Sequence, residues 1–271
     1  MLYVAARNLK FGTNSDPDKS KTKCIIFTKK KKPDFQPRNI TLNGVILPWV
    51  TQVKHLGHML QSDNSMRIDI AQKRGAFIGK INSLLQEFHH VKPDMFLKLM
   101  NTYATSLYGS NTWDILSSDC ERLYTSYNVT IRIVLQVDRC THRYLIEPLS
   151  ECLHLKTRIA SRYVTFYNSL VTSKKLPVRF LARMTEHDTR TVLGRTLATL
   201  LTQCGLQFEE LPQLNSNLVK MKLCYREVPD DELWRVSLCK EMLKIKHGNQ
   251  LELPGFENDE CEELLKFACV S

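Results

Sequence analysis

At 271 residues the chain is long enough for one large or two small domains with a buried core. Hydrophobic residues make up 43% and charged residues 24%, an ordinary globular composition, and no apolar run is long enough to span a bilayer as a helix. The net charge of +10 is unevenly placed: residues 1–40 carry +7, 41–100 carry +3, 101–200 carry +5 and 201–271 carry −5. A basic body with an acidic end suits a polyanion partner on the N-terminal side, because Lys and Arg near phosphates release condensed counterions. A solvated basic surface is the alternative. The nine cysteines (Cys24, Cys120, Cys140, Cys152, Cys204, Cys224, Cys239, Cys261 and Cys269) are scattered and form no Cys-x-x-Cys, which fits reduced thiols, mostly buried. The apolar run Met1 to Ala6 is too short for a signal peptide and is followed by Arg7 and Lys10. The expectation is an intracellular protein, with nucleus and cytoplasm both open.

In chain order, residues 23–28 and 40–60 hold short β-branched and apolar runs, and Asn43-Gly44 between Leu42 and Val45 is the preferred two-residue loop of a type I′ hairpin. Lys29 to Lys32, before Pro33, reads as a solvated loop between strands, with a nuclear-localisation patch as the other reading.

From Asp63 the period becomes helical. Met66, Ile70, Phe77, Ile81, Leu84 and Phe88 predict an amphipathic helix of about 25 residues. Pro93 opens a second helix through Phe96, Leu99, Tyr103 and Leu107, with Gly109 placed to end it. Ser118 and Glu121 form a capping box for a third, in which Leu123, Tyr127, Ile131 and Val134 share a face. Three consecutive helices with short connections make a small bundle.

After a loop at Asp138 to His142, a helix carries Ile159, Tyr163, Phe166 and Leu170. Another runs from about Thr189 to Gln203 with Leu193, Leu197 and Leu200 inward and Gly205 as its stop. Beyond Gly205 the sequence is acidic and less regular. Asp230 or Asp231 starts one more helix through Leu233, Trp234, Leu238 and Met242, and Pro254 to Ser271 is expected to fray. The expected fold class is therefore mainly α with a small N-terminal β region.

Three segments carry a family resemblance: Lys19-Ser-Lys-Thr-Lys-Cys-Ile-Ile-Phe27, Ile40-Thr-Leu-Asn-Gly-Val-Ile-Leu47 and Val53-Lys-His-Leu-Gly-His-Met-Leu60. In this order they resemble the second half of the polymerase palm in reverse transcriptases of non-LTR (LINE-type) retrotransposons. Phe11-Gly-Thr-Asn-Ser-Asp-Pro17 and the lysines from Lys19 to Lys23 look like the block after the catalytic hairpin, and Leu56-Gly57 resembles the strand of the primer grip. The helices after Asp63 correspond to the thumb. Thr141-His-Arg-Tyr-Leu-Ile-Glu-Pro-Leu-Ser150 resembles the helical region beyond it, and the likeness ends near residue 200.

The resemblance implies four spans: a partial palm with grip at 1–61, a thumb-like bundle at 62–138, a post-thumb helical region at 139–205 and an acidic C-terminal region at 206–271. It implies an RNA-directed DNA polymerase as parent enzyme, using magnesium held by the carboxylates of a Tyr-x-Asp-Asp turn and one upstream aspartate. This chain has no such turn. Tyr3-Val-Ala-Ala6 carries the tyrosine but alanines in place of carboxylates, and Asp230-Asp231 reads as the start of a helix. No catalytic residue, metal ligand or cofactor is therefore expected in this chain, and primer extension is not expected of it. Lys19 or Lys21 matches the lysine that protonates departing pyrophosphate in such enzymes, but without metal ligands each is an exposed lysine in a turn.

The remaining expectation is weak, sequence-independent binding of an RNA or DNA duplex through Lys19, Lys21, Lys23, Lys54, Leu56, Gly57, Lys73, Arg74 and Lys80. Lys73 and Lys80 stand seven residues apart on the first thumb helix with Arg74 beside them, and Asp69 is placed to pair with Lys73. Gly75 and Gly79 share another face, where they permit close backbone approach. Cys140, His142, Cys152 and His154 supply zinc-ligand types at spacings unlike known knuckles, so buried thiols and hydrogen-bonded histidines are preferred. His89-His90 is likewise read as structural. The alternative function is a non-enzymatic helical module, derived from a retroelement, that binds a protein partner.

Overall fold

The computed structural model describes residues 14, 16, 19, 21–28, 37–42, 44–105, 107–223, 232–247 and 258–270. The readings made at Tyr3 to Ala6, Lys29 to Lys32, Asn43 and Asp230-Asp231, and most of that at Phe11 to Pro17, lie outside the described residues. The protein is mostly helical, 64%, with a small N-terminal region of two hairpins. Two compact units are present, residues 1–69 and 70–271.

In the first unit β1 (Thr41–Leu42) pairs antiparallel with β2 (Val45–Ile46), in the register Leu42↔Val45. That register leaves two residues for the loop, and Gly44 has φ +77, the left-handed conformation a glycine enters without steric cost. The second hairpin joins β3 (Gln52–His55) to β4 (His58–Gln61) in the register His55↔His58. Leu56 and Gly57 are thus a two-residue turn, with φ +47 and +81, and not the strand residues that the sequence reading makes of them. Positive φ at both loop positions matches strand twist in such hairpins, although a leucine there costs about 1–2 kcal/mol. Among the described residues the segment expected as a strand over 23–28 is no strand: it makes an isolated bridge from Cys24 to Trp49, and the Thr28 N–H donates to the Ser62 carbonyl.

α1 (Arg67–Glu87) begins with buried Asp69, which accepts from the Met59 N–H at 3.0 Å and faces His58 Nδ1 at 3.4 Å, fastening β4 to the helix's first turn. Ile70, Phe77 and Ile81 bury as their spacing predicts, while Phe88 is exposed.

α2 (Pro93–Leu99) runs directly into a π-helical turn, Met100–Ala104, closed by a bond from the Thr105 N–H to the Met100 carbonyl. A π-turn spends an extra residue per turn, so the inward positions shift to Met100 and Ala104 and Tyr103 is turned out to solvent. Gly109, expected to stop α2, instead precedes a 3-10 turn at Ser110–Thr112.

α3 (Ser118–Leu135) is capped by Ser117, one residue before the expected cap, through its Oγ and the Cys120 N–H. Its row Leu123, Tyr127, Ile131 and Val134 is buried as expected. α4 (Arg143–Ser150) and α5 (Leu155–Val171) follow, and His154 caps α5 by accepting from the Lys156 N–H at Nδ1.

α6 (Leu176–Glu186) is a helix that the sequence reading passes over. α7 (Val192–Cys204) starts at the Thr191 cap and stops at Gly205, φ +71. A 3-10 turn (Phe208–Gln213) leads to α8 (Ser216–Leu223), and α9 (Leu233–Lys246) packs against α10 (Asn258–Val270).

The expected fraying of 254–271 is corrected over its second part. Leu265, Ala268 and Cys269 bury, and the Cys269 carbonyl accepts from the His142 N–H at 3.0 Å. The core of this unit is drawn from Trp113, Leu123, Tyr127, Ile131, Leu145, Leu155, Ile159, Leu197 and Leu200. Each such burial contributes about 1.5–3 kcal/mol, so the helices of 70–138, 139–205 and 206–271 hold one another in a single compact unit.

Candidate nucleic-acid interface

The nine residues singled out from the sequence fall into two groups, one in each unit. In the first unit Lys19 is exposed and lies 3.5 Å from the Asp16 carboxylate, Lys21 is exposed, and Lys23 is half-buried. Lys54 projects from β3 into solvent, and Leu56 at the hairpin tip is 74% exposed with Gly57 beside it.

In the helical unit the expected row on α1 divides. Lys73 places its Nζ 6.0 Å from the centroid of the Tyr108 ring, a cation–π contact. Two turns further on along the same face, Lys80 Nζ donates to the Tyr103 carbonyl at 3.0 Å. Arg74 turns the other way and donates from Nε to Ser126 Oγ of α3 at 2.8 Å. A guanidinium has five N–H donors and an ammonium three, so the bonds to Ser126 and Tyr103 orient Arg74 and Lys80 without exhausting their donors.

Tyr103 and Tyr108 are 60% and 63% exposed. The π-turn presents the first, and the turn around left-handed Gly109 presents the second. Beside Tyr108 runs a groove of about 560 Å³ between the 107–111 turn, α5 and α8. Ser161, Arg162, Thr165, Phe166 and Ser169 form its α5 wall, at the spacing of a single helix face, and Lys220 of α8 stands opposite. Arg162 donates to the Leu107 carbonyl at 3.3 Å, which holds the turn carrying Tyr108. Among the described residues the groove is lined by two cations and no carboxylate.

The helical spacing places Tyr103 in the core, whereas the structure exposes it and adds Tyr108, Arg162 and Lys220 to the candidate surface. A visible signal for Arg162 was the basic pair Arg158 and Arg162, four residues apart beside the apolar row Ile159 and Tyr163. The glycines of α1 correct an expectation. A Cβ at Gly75 or Gly79 would meet nothing within 4 Å, so no close backbone approach uses them.

The other candidates occupy structural roles. His154 is buried among Tyr124, Tyr127 and Arg143, with both ring nitrogens facing N–H donors. Burial, then the charges of Arg143 and Lys156, push its imidazole down to about 4. Cys152 accepts from Asn101, and Cys140 is exposed. Among the described residues no three His, Cys, Asp or Glu side chains are grouped to hold a metal ion. Among the described residues no helix is long and apolar enough to cross a membrane.

A second conspicuous surface lies on α6. Leu176, Phe180, Leu181 and Met184 are 60–64% exposed, flanked by Arg179 and Arg183, while Glu186 on the opposite face is buried against the Tyr167 hydroxyl at 2.6 Å. Compared with protein-family models, with curated proteins and with solved structures, the chain gives no match.

Proposed function

We propose that this chain is a nucleic-acid-binding body of retroelement origin, the C-terminal part of a LINE-type reverse transcriptase without its catalytic carboxylates. The observation that supports it best is the pair of α1 lysines beside exposed tyrosines, Lys73 against the Tyr108 ring and Lys80 bonded to the backbone carbonyl of Tyr103. Cations interleaved with accessible aromatic rings serve phosphates and bases at once. Binding is weak and independent of sequence, because these groups address the backbone and not base edges.

Anisotropy of a fluorescein-labelled 16-base-pair duplex titrated with the protein tests this reading at low salt. Saturable binding, weakened at least tenfold in the triple variant Lys73→Ala, Arg74→Ala, Lys80→Ala, supports it. Binding that the triple variant leaves intact removes it. A companion primer-extension assay with magnesium should give no product, and product that persists through purification and is lost on mutation of this chain would refute the loss of chemistry.

The second reading, a helical module for a protein partner, is favoured by the apolar face of α6. Exposed apolar patches of this kind mark interaction surfaces.

A further inference from the structure

The groove beside Tyr108 is an open depression whose lining combines aromatic, cationic and hydroxyl side chains. Its volume of about 560 Å³ falls within the range of small-molecule sites. Its contents are also divided by chemistry. The exposed Tyr108 ring stands at the rim with the half-buried Phe166 in the α5 wall, offering aromatic surface. Arg162 and Lys220 supply positive charge from two different helices, and Lys73 adds a third cation against the Tyr108 ring. In the groove's lining the Ser110 hydroxyl is buried and has no hydrogen-bond partner among the described residues, a polar atom that an entering ligand group can satisfy.

From this geometry we infer that the groove takes one unpaired nucleotide of a nucleic-acid strand, its base stacked on Tyr108 and its phosphate held by Lys220 and Arg162. The inference rests on the nucleic-acid reading above and sharpens it. A duplex keeps its bases stacked on one another and offers only its backbone here, whereas an unpaired base has a free π-face, which is what an exposed tyrosine recognises in single strands. Among the described residues the groove's lining holds no carboxylate that would repel the phosphate, and the Thr165 and Ser169 hydroxyls already donate to α5 carbonyls, so no fixed donor pattern selects one base. The preference is therefore for unpaired over paired nucleic acid, not for one base.

The test uses the full chain and three fluorescein-labelled probes of equal length: oligothymidylate, the same strand with tetrahydrofuran abasic residues replacing every base, and a duplex. Oligothymidylate is expected to bind about five- to hundredfold tighter than the abasic strand, the range supplied by stacking one base on an aromatic side chain. Tyr108→Leu should collapse that ratio towards one while Tyr108→Phe keeps it. Because Tyr108 is exposed, both variants should melt with the parent. Lys220→Ala should weaken oligothymidylate and abasic strand alike and reduce the salt slope by about one phosphate contact.

Equal affinity for oligothymidylate and the abasic strand, or a ratio that survives Tyr108→Leu, overturns the inference, and duplex binding in the same experiment leaves the broader reading standing. Failure of all three probes to bind removes both. Thymidine 5′-monophosphate that competes at the concentration of the strand itself would make the occupant a free nucleotide and overturn the assignment to a strand.

Discussion

Two surfaces of the helical unit both expose large aromatic or apolar side chains, yet they point to different partners. On the α1 side Lys73 faces the Tyr108 ring and Lys80 holds the backbone of Tyr103, and the adjoining groove adds Arg162, Lys220 and a row of hydroxyls. On α6 the exposed positions Leu176, Phe180, Leu181 and Met184 adjoin one another, and the arginines stand to the side. Interleaving suits a charged polymer with π-faces, whereas a continuous apolar ridge suits another apolar surface. Net charge alone does not separate the two, because both regions are basic. The arrangement of charge around the apolar atoms does.

The largest effect is expected where α6 is anchored. Gly194 lies where α7 meets the end of α6: a Cβ there would run into the Asp188 carbonyl, and the Thr185 carbonyl is 2.8 Å away. Both obstacles are backbone, so Gly194→Ala should cost about 3 kcal/mol, read as a lower urea midpoint. If the two surfaces belong to one cooperative unit, nucleic-acid binding and α6 structure should be lost together. A variant that melts like the parent would show that the α6–α7 junction yields.

Nearly as large is the pH response of the core, which is shared by both surfaces. The folded state holds His154 near 4 against an ordinary 6.5, so between these values the unfolded chain binds a proton that the folded chain does not. Stability therefore falls as pH drops from about 6.5 to about 4 and levels off below, by up to about 3 kcal/mol from this group. His154→Asn retains a capping side chain but cannot be protonated there. The difference between parent and variant melting curves should open across that window, and parallel curves would contradict the burial argument.

Smaller and of opposite sign is the effect of Gly75→Ala and Gly79→Ala on α1. With open space at both positions, each should gain up to about 1 kcal/mol through helix propensity, seen as a raised melting temperature. A fall would mean that something packs there after all. The smallest effect is expected for the double variant Phe180→Ser, Met184→Ser. Stability should change by no more than about 0.5 kcal/mol and duplex affinity should stay unchanged, which separates the α6 face from the lysine–tyrosine face. Loss of duplex binding in this variant would merge the two surfaces into one.

Much of the helical unit was legible because its buried faces follow simple periods. The rows on α1, α3, α5 and α7 and the stop at Gly205 could be read from spacing alone. The hairpin at 43–44 was readable because only certain residues accept its turn. Other features broke the rules that made reading possible. Leu56 in the left-handed region is a choice that local preference argues against, so the second hairpin's turn was taken for strand. One extra residue in the π-turn moved Tyr103 from core to solvent, and nothing in Met100 to Ala104 announces it. In α6 the apolar row marks the exposed face. In α10 acidic residues disguised a helix whose burial depends on Leu265, Ala268 and Cys269 meeting α9. The candidate interface was half legible: the lysines were found, but the tyrosines and the groove depend on elements distant in sequence.

The salt dependence of duplex affinity tests the central claim most directly. If about three to five phosphates are neutralised, log K should fall against log salt with a slope of about −3 to −4.5 on B-form DNA, and the Lys73, Arg74, Lys80 alanine variant should flatten it by up to about three contacts' worth. An affinity indifferent to salt, or an unchanged slope in that variant, would contradict the account and leave the apolar face of α6, with a protein partner, as the better guide to function.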